Sequence, residues 1–234
     1  MSEAEKLCLK NFLDYGFTLP EQEDFTKIVR PIISHPEFEK RCTDNFPHHG
    51  NTTLGEHILK DAMITYRLAN IYKSKHPNMD ISTETAVVIP LFHDLYTNPW
   101  QNVDNDNPLY EKHGFMHPIE AVINAYDWYP EYFKDKEVSK KIIDGVLHHM
   151  YPFPVRKIND EIEINEKKIT DFKFYDVLVH STKSKRENLC FKKATFIEGK
   201  LVSKADKLVT VKEIKNISSL VALVTAKNKS IIKY

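Results

Sequence analysis

The chain of 234 residues contains little cysteine, and its three cysteines, Cys8, Cys42 and Cys190, stand far apart. They form no Cys-x-x-Cys pair and no spacing from which a disulfide framework could be built. This usage is typical of a reducing compartment. It also excludes a structural zinc site of the cysteine type, because such a site needs several thiolates close together.

The sequence also lacks long apolar runs and a net charge. No stretch reaches the roughly 18 apolar residues of a membrane helix, and residues 1–10, MSEAEKLCLK, contain no apolar signal-peptide core. The 33 Lys and Arg residues balance the 33 Asp and Glu residues, so no overall field attracts nucleic acid or a membrane surface. We therefore expect a soluble, cytoplasmic protein that has neither a membrane nor nucleic acid as its partner.

Histidine is what the sequence has in quantity. Eleven histidines are present, and most of them lie between His48 and His149. A hydrophobic content of 41% and a length of 234 residues suit one large globular domain over residues 1–234. The unusual feature is therefore a concentration of imidazoles within a single domain.

The first 44 residues predict two or three short helices that are interrupted at Pro20, Pro31 and Pro36. This part of the chain carries no chemical motif. We expect a helical N-terminal extension that packs against the remainder.

A longer helix is predicted over residues 54–73. Thr53 is a suitable N-cap and stands three residues before Glu56, which is the spacing of a capping box. The apolar residues of this segment recur at helical spacing and form one wide face. His57 lies in the first turns beside that face, and Asp61 follows one turn later.

Residues 84–95, ETAVVIPLFHDL, are almost entirely apolar and predict a buried helix that is kinked at Pro90. A buried strand is the alternative, because the run is short and rich in valine and isoleucine. The run ends in the pair His93-Asp94. On a helix, His93 would face inward, since it follows a buried position by four residues.

A polar loop, residues 96–112, separates this pair from the next predicted helix. Pro118 suits the first position of that helix and His117 the cap before it. The apolar residues that follow recur at helical spacing. The polar loop, rich in Asn, Asp and Pro, can serve as a lid or substrate loop.

The segment DKEVSKKIIDGVLHHMYP, residues 135–152, gives the clearest amphipathic pattern in the chain. His149 continues its apolar stripe, whereas His148 aligns with Lys141 and Asp144 on the polar face. Periodicity thus favours His149 over His148 as an inward-facing residue.

Residues 155–202 alternate apolar and polar residues and predict a β-rich insertion of three or four short strands. A basic segment at 183–193, KSKRENLCFKK, fits a solvated hairpin tip better than a site for nucleic acid or a phosphorylated partner. Residues 203–225 then resume a helical pattern. The fold class that we predict is mainly α, with a small β-rich insertion before a C-terminal helix.

Several His and Asp residues from separate segments stand on or beside buried faces, where unpaired imidazole or carboxylate groups would cost several kcal/mol. A shared metal ion would remove that cost. Taken singly, each residue has an ordinary explanation, and Asp206-Lys207 alone would be a surface pair. Together they suit one or two divalent iron, manganese, cobalt or zinc ions. The six candidate ligands are His57, His93, Asp94, His117, His149 and Asp206.

The order of these words, HHGNTT with EH, then HD, HGFMHP, HHMYP and a late ADK, resembles the HD superfamily of metal-dependent phosphohydrolases, in particular a bacterial subgroup of small HD-domain proteins. The resemblance covers 45–154 and 203–225 and leaves out the insertion at 155–202. It implies a helical bundle around the metals.

In that family the first His, the HD pair and the late Asp hold one metal, which carries over to His57, His93, Asp94 and Asp206. Members with additional histidines hold a second metal. Here these would be His117 and His149, with Asp94 as the bridge. The double histidine at 148–149 is also similar to that of the HD-GYP phosphodiesterases.

The expected reaction is hydrolysis of a phosphoester of a nucleotide or a related small phosphate by a metal-activated hydroxide that Asp94 helps to hold. His113 and His148 are candidates for protonation of the leaving oxygen, although His113 equally suits a loop histidine. Asp61 could orient His57 as a hydrogen-bond acceptor. Lys207 could pair with a phosphate, although a surface lysine fits the sequence better.

Two other functions fit the same residues. One is an HD-fold oxygenase that uses two iron ions, because iron accepts the same ligand types. The other is a non-catalytic sensor or interaction protein in which the site is structural and the insertion binds a partner. Oxygen consumption without phosphatase activity would favour the former, and bound metal without turnover the latter.

Overall fold

A computed structural model describes residues 1–49, 52–99 and 108–215. Within them the chain is mainly helical, with two small antiparallel sheets, β1 with β4 and β2 with β3. The helices are α1 (Glu3–Asp14), α2 (Leu19–Ile33), α3 (Pro36–Arg41), α4 (Leu54–Lys75), α5 (Thr83–Phe92), α6 (His113–Trp128), α7 (Lys136–Leu147), α8 (Tyr175–Ser181) and α9 (Ile197–Lys215). The strands are β1 (Val155–Arg156), β2 (Glu163–Ile164), β3 (Lys167–Lys168) and β4 (Leu189–Cys190).

Helix α5 lies at the centre of the fold, between α4, α7 and α9. From Thr85 to Phe92 every residue of this helix is buried, which explains a sequence that is apolar on all sides. The helical prediction is confirmed for residues 84–92, where the strand alternative is excluded. The helix ends at Phe92, so the last three residues of the predicted segment, His93 to Leu95, lie beyond it. Pro90 lies inside the helix, as predicted.

Helices α7 and α9 approach each other closely at two glycines. A Cβ atom on Gly199 would lie 2.7 Å from Cα of Gly145, and one on Gly145 would lie 2.8 Å from the side chain of Ile89. A larger residue at Gly199 would push α9 away from α7, and one at Gly145 would push α7 away from α5. This contact brings Asp206, two turns further along α9, over the end of α5.

The N-terminal part forms three helices, within the predicted two or three. Helices α2 and α3 begin at Leu19 and Pro36, as proline at a first turn suggests. Pro31, however, lies inside α2 near its end, so the boundary predicted there is wrong. Its ring is exposed, and the helix continues for only two residues beyond it.

The cap of α4 agrees with the sequence in part. The Thr53 hydroxyl accepts a hydrogen bond from the Glu56 backbone N–H at 3.3 Å. The Glu56 carboxylate does not complete the capping box, because it pairs instead with Lys10 at 3.0 Å and Lys60 at 3.2 Å. The segment 54–73 is helical as predicted and extends to Lys75.

Helix α6 begins one turn earlier than predicted. Its first residue is His113, so His117 is not a cap and Pro118 lies in the second turn. The prediction followed the preference of proline for the first helical position, but an earlier turn, centred on exposed Gly114, forms ahead of it. As a result His117 is held inside a regular helix, with its ring buried.

The segment 155–202 is less β-rich than predicted, because its four strands are two residues long. Residues 175–181 form α8, and α9 already begins at Ile197. Phe174 and Leu178 are buried four residues apart, which is a helical spacing that a short run of alternating residues obscures. The predicted continuation of the last helix from 216 to 225 and the part of the predicted lid loop at 100–107 lie outside the described residues.

The β2–β3 hairpin supports the loop that follows the His93-Asp94 pair. Its turn residues Asn165 and Glu166 have φ of 52° and 64°, as a tight hairpin turn requires. The Asn165 side-chain amide donates to Asn124 Oδ1 and Thr97 Oγ1, both at 3.1 Å. Asn124 in turn donates to the carbonyl of Leu95 at 2.6 Å. In the described ranges, no helix combines the length and the apolar character that a bilayer crossing requires.

Candidate metal centre

Four buried histidine rings are fixed in the same way. In each of them Nδ1 contacts an oxygen acceptor, which orients the ring and directs Nε2 to the opposite side. Three of the acceptors are backbone carbonyls and one is a carboxylate. The contacts are His57 to Glu213 Oε2 at 2.9 Å, His93 to Pro90 O at 2.6 Å, His117 to His113 O at 3.0 Å, and His149 to Val146 O at 2.7 Å.

A first group of ligand atoms forms around His57 and His93. Oδ2 of Asp61 lies 3.4 Å from Nε2 of His57 and 3.3 Å from Nε2 of His93. Oδ1 of Asp206 lies 3.6 Å from Nε2 of His57. These four residues offer ligand atoms that all lie within 4.8 Å of one another.

A second group forms around Asp94, whose two carboxylate oxygens face different histidines. Oδ1 lies 3.3 Å from Nε2 of His117 and 3.6 Å from Nε2 of His149. Oδ2 lies 3.3 Å from Nε2 of His93 and 3.9 Å from Nε2 of His57. Asp94 therefore stands between the two groups and contacts both.

The spacing of these atoms fits a coordination sphere. Bonds of about 2.0–2.2 Å at tetrahedral or octahedral angles place neighbouring ligand atoms about 3.0–3.5 Å apart. Most of the nitrogen-to-oxygen distances in the two groups lie between 3.3 and 3.6 Å. They are too long for good hydrogen bonds but suit atoms that share a central ion.

Unsatisfied polar atoms support the same interpretation. Nε2 of His57, Nε2 of His93 and both carboxylate oxygens of Asp61 are buried without a hydrogen-bond partner among the described residues. Each such atom costs about 1–3 kcal/mol when it stays unpaired. A cation at the centre of the first group would satisfy three of the four and neutralise Asp61, so the residues present fit a divalent metal ion.

The electrostatics of the first group show that it holds protons when no cation is present. Burial alone would lower the pKa of His57, but the carboxylates of Asp61, Asp206 and Glu213 reverse this and raise it well above its ordinary value. Burial raises the pKa of Asp61, and the nearby carboxylates raise it further although His57 opposes them. A metal ion would take the place of these protons.

Two members of the second group, Asp94 and His149, are already in the protonation state that coordination requires. Burial would lower the pKa of the third member, His117, but Asp94 outweighs it and raises that pKa. Burial would raise the pKa of Asp94, but His93, His117 and His149 outweigh it and hold that pKa well below its usual range. Burial, reinforced by His93, lowers the pKa of His149 to about 3. Asp94 is therefore an anion and His149 a neutral imidazole.

The position of each side chain follows from local structure. His57 and Asp61 are four residues apart on α4, so they lie on one face of that helix. His93 and Asp94 are adjacent, but α5 ends at Phe92 and the turn that follows lets both face the same centre. His149 likewise stands just beyond the last helical residue of α7.

A cavity of about 580 Å³ opens onto the cluster. Asp94, His117, His149 and Asp206 of the cluster line it. The rest of its wall combines cations, aromatic rings and apolar groups, which is a mixture suited to a small organic anion. These wall residues include His48, His49, Tyr96, Lys112, His113, Met150, Phe153, Lys207 and Val211.

The two predicted proton donors are placed very differently. His113 lines the cavity, where its ring stacks on that of His117 at 5.0 Å. His148 is not among the described residues that line the cavity, and its Nε2 faces the Ser181 carbonyl at 3.2 Å. Because α7 ends at Leu147, helical periodicity does not extend to His148, which caps the helix and is buried beside α8. The described structure thus gives His148 no position on the cavity wall, and its catalytic role stays a prediction.

Four residues near the centre were missed or misassigned by sequence reasoning. Asp61, expected to orient His57 from behind, instead faces Nε2 on the ligand side. Glu213 takes the orienting position at Nδ1. His48 stacks on His57 at 4.1 Å between ring centroids and forms a third possible ligand group with His57 and Asp94, and His49 lies beside it. The HHGNTT segment contributes to the family resemblance. It has no helical or strand periodicity, however, from which the direction of its two histidine rings could be predicted.

The six predicted ligands lie together in this cluster, drawn from α4, α6, α9 and the ends of α5 and α7. The chain matches no known family model, no curated protein and no solved structure. The protein is mainly helical within the described residues and has a buried His and Asp cluster at metal-ligand spacing.

Proposed function

We propose that this protein is a metal-dependent phosphohydrolase of the HD type that cleaves a phosphoester of a nucleotide or a related small phosphate. The observation that carries the proposal is the position of Asp94. One of its oxygens faces His57 and His93 and the other faces His117 and His149. A carboxylate shared between two ligand groups is the arrangement expected of a binuclear site.

The first ion would be held by His57, Asp61, His93, Asp94 and Asp206. The second would be held by Asp94, His117 and His149, which leaves it with few protein ligands and open toward the cavity. Nitrogen and carboxylate donors without a thiol suit iron, manganese, cobalt or zinc. Ions of this kind polarise a phosphoryl oxygen and lower the pKa of a water molecule toward neutrality.

The chain's own residues supply the remaining functions. Lys112 and Lys207 line the cavity and would neutralise the charge of a bound phosphate. Phe153 is 65% exposed at the cavity wall and offers a flat surface to an organic group such as a base. Both features support an organic phosphate as the substrate.

His113 is the one predicted proton donor that faces the cavity. Burial and the charge of His117 lower its pKa to about 3, so its ring is neutral in the free protein. A neutral imidazole still has one N–H group, which would donate a hydrogen bond to the leaving oxygen. We therefore assign His113 the role of stabilising the leaving oxygen by a hydrogen bond, in place of the predicted role of protonating it.

The proposal is tested by metal analysis of the purified protein together with a substrate screen. The screen covers nucleoside mono-, di- and triphosphates, cyclic dinucleotides and a generic phosphodiester, each with manganese, cobalt, iron or zinc. We expect between one and two transition-metal ions per chain and hydrolysis of at least one class. His93→Ala and Asp94→Ala should lose both metal and activity.

The matched controls are His180→Ala and Asp176→Asn, which change the same residue types on the exposed face of α8. They should retain metal and activity. If the His93 and Asp94 variants kept both, the proposed site would be wrong. Bound iron with oxygen consumption and no phosphoester hydrolysis would instead favour the oxygenase.

A further inference from the structure

The cavity of about 580 Å³ that opens onto the His and Asp cluster is called the metal cavity below. A second cavity, of about 410 Å³, lies beside it and is strongly basic. Its lining includes Lys193, Lys200, Lys204 and Lys207, and no carboxylate among the described residues. Lys207 lines both cavities. The basic cavity is therefore a neighbour of the metal cavity, joined to it at one side chain.

Three of the four lysines share one helix face. Lys200, Lys204 and Lys207 are spaced by four and three residues on α9, so their side chains stack along a single side of the helix. Like charges at this spacing repel and weaken a helix. Lys193 approaches from the segment after β4, where its ammonium lies 5.2 Å from the centre of the Tyr151 ring.

These charges are not neutralised within the described part of the protein. Elsewhere, the partly buried Lys60 pairs with Glu213 at 3.3 Å and Lys141 with Glu198 at 2.9 Å, whereas the four cavity lysines are exposed. None of the four cavity lysines forms an ion pair with a described residue. The Lys207 ammonium donates to the carbonyl and hydroxyl of Ser203 at 2.8 and 2.6 Å, which orients it without removing its charge.

The chain as a whole is neutral, so this concentration of positive charge is local. A concave surface with charge of one sign focuses the field and attracts counter-ions. Lys207 directly follows Asp206, whose Oδ1 faces His57 in the metal cluster. An anion in the basic cavity would thus sit next to a ligand bound at the cluster.

We propose that the basic cavity binds a second phosphate group of the substrate, so that the preferred substrates carry two phosphates and not one. This inference rests on the proposed function and specifies its substrate class. One phosphate would lie at the His and Asp cluster. The other would lie against Lys193, Lys200 and Lys204, with Lys207 between them.

The test compares adenosine 3′,5′-bisphosphate with adenosine 5′-monophosphate as probes, titrated calorimetrically into the full-length protein as purified. Released phosphate is assayed after each run to account for turnover. We expect the bisphosphate to bind on the order of 10-fold more tightly, as one added charged contact allows. The variant Lys200→Gln/Lys204→Gln should lose most of that difference and leave monophosphate binding within about 2-fold.

The matched control is Lys183→Gln/Lys185→Gln, which removes the same charge from an exposed turn that does not line the cavity. It should bind both probes as the wild type does. Equal binding of the two probes by the wild type, or equal loss in both double variants, would overturn the inference.

The outcome can be separated from that of the hydrolase proposal. If the protein hydrolyses no phosphoester but still selects the bisphosphate through Lys200 and Lys204, the anion site stands and the hydrolase proposal falls. If it hydrolyses monophosphates and bisphosphates with the same KM in wild type and Lys200→Gln/Lys204→Gln, the hydrolase proposal stands and the second-phosphate site falls.

Discussion

Nδ1 of His57 lies 2.9 Å from Oε2 of Glu213, and this contact joins α4 to α9 across 156 residues of sequence. Glu213 is 4% exposed in its side chain, and its other oxygen pairs with Lys60 at 3.3 Å. The carboxylate therefore holds the imidazole with Nε2 directed at the cluster. Its position behind a candidate ligand explains why a charged residue near the end of α9 is buried.

Replacement of Glu213 should weaken metal binding without removing a ligand. We expect Glu213→Gln to lower the affinity for the first ion by about 10- to 100-fold, because the ring loses its charged acceptor. Chelator competition with metal analysis measures the change. Glu131→Gln, which changes an exposed glutamate, should have no effect. An unchanged affinity in Glu213→Gln would show that His57 needs no orienting carboxylate.

Asp61 should matter for metal binding and little for the metal-free fold. Its carboxyl group is fully buried, and burial with the nearby carboxylates raises its pKa, so without a cation it holds a proton and is uncharged. Asn has a similar shape and is also uncharged, so Asp61→Asn should change the unfolding free energy of the metal-free protein by less than about 1 kcal/mol. The bound metal should be lost, because the amide supplies no anionic ligand.

Thermal melts with and without chelator measure both effects. The wild type should melt at a lower temperature after chelation, whereas Asp61→Asn should melt at the same temperature in both conditions. A metal-dependent melting temperature in Asp61→Asn would place Asp61 outside the coordination sphere.

Metal binding should release protons. The pKa of His57 is raised well above 6.5 by Asp61, Asp206 and Glu213 against the opposing effect of burial, so this ring is protonated in the metal-free protein near neutral pH. A metal can bind Nε2 only after this proton leaves. Affinity should therefore fall as the pH falls through the raised pKa.

Calorimetric titrations in buffers of different ionisation enthalpy count the protons released. We expect at least one proton per first ion at pH 7, and fewer as the pH rises above the His57 pKa. Zero release at pH 7 would mean that His57 binds no metal or is neutral beforehand.

The contact between Gly145 and Gly199 should tolerate no side chain. Gly199→Ala places a methyl group 2.7 Å from Cα of Gly145, and we expect a loss of about 1–3 kcal/mol from overpacking. The control is Gly114→Ala in α6, where a methyl group meets nothing within 4 Å. That change should be neutral or stabilise by up to about 1 kcal/mol. Urea unfolding measures both, and equal effects would contradict the close packing.

Local sequence patterns specify the helical character of the site-bearing segments. Apolar residues recur at helical spacing on α4 and α7, so each of these helices buries one face. Helix α5 is apolar on all sides, so it is buried on all sides. The sequence also picked out the histidines and aspartates that stand on those faces. Such patterns are local, because they depend only on residues within a few turns of one another.

What those residues face depends on packing between distant segments. Glu213 reaches His57 from a distant helix, and Asp61 points to the ligand side because α5 places His93 opposite it. Helix α8 forms where strands were predicted. A short apolar run fits either structure, and the packing of neighbouring segments on one of its faces selects between them. The position of His148 was decided by where α7 ends against α8. Contacts between segments far apart in sequence leave no periodic trace in either segment, so the composition of the site depended on how the helices pack.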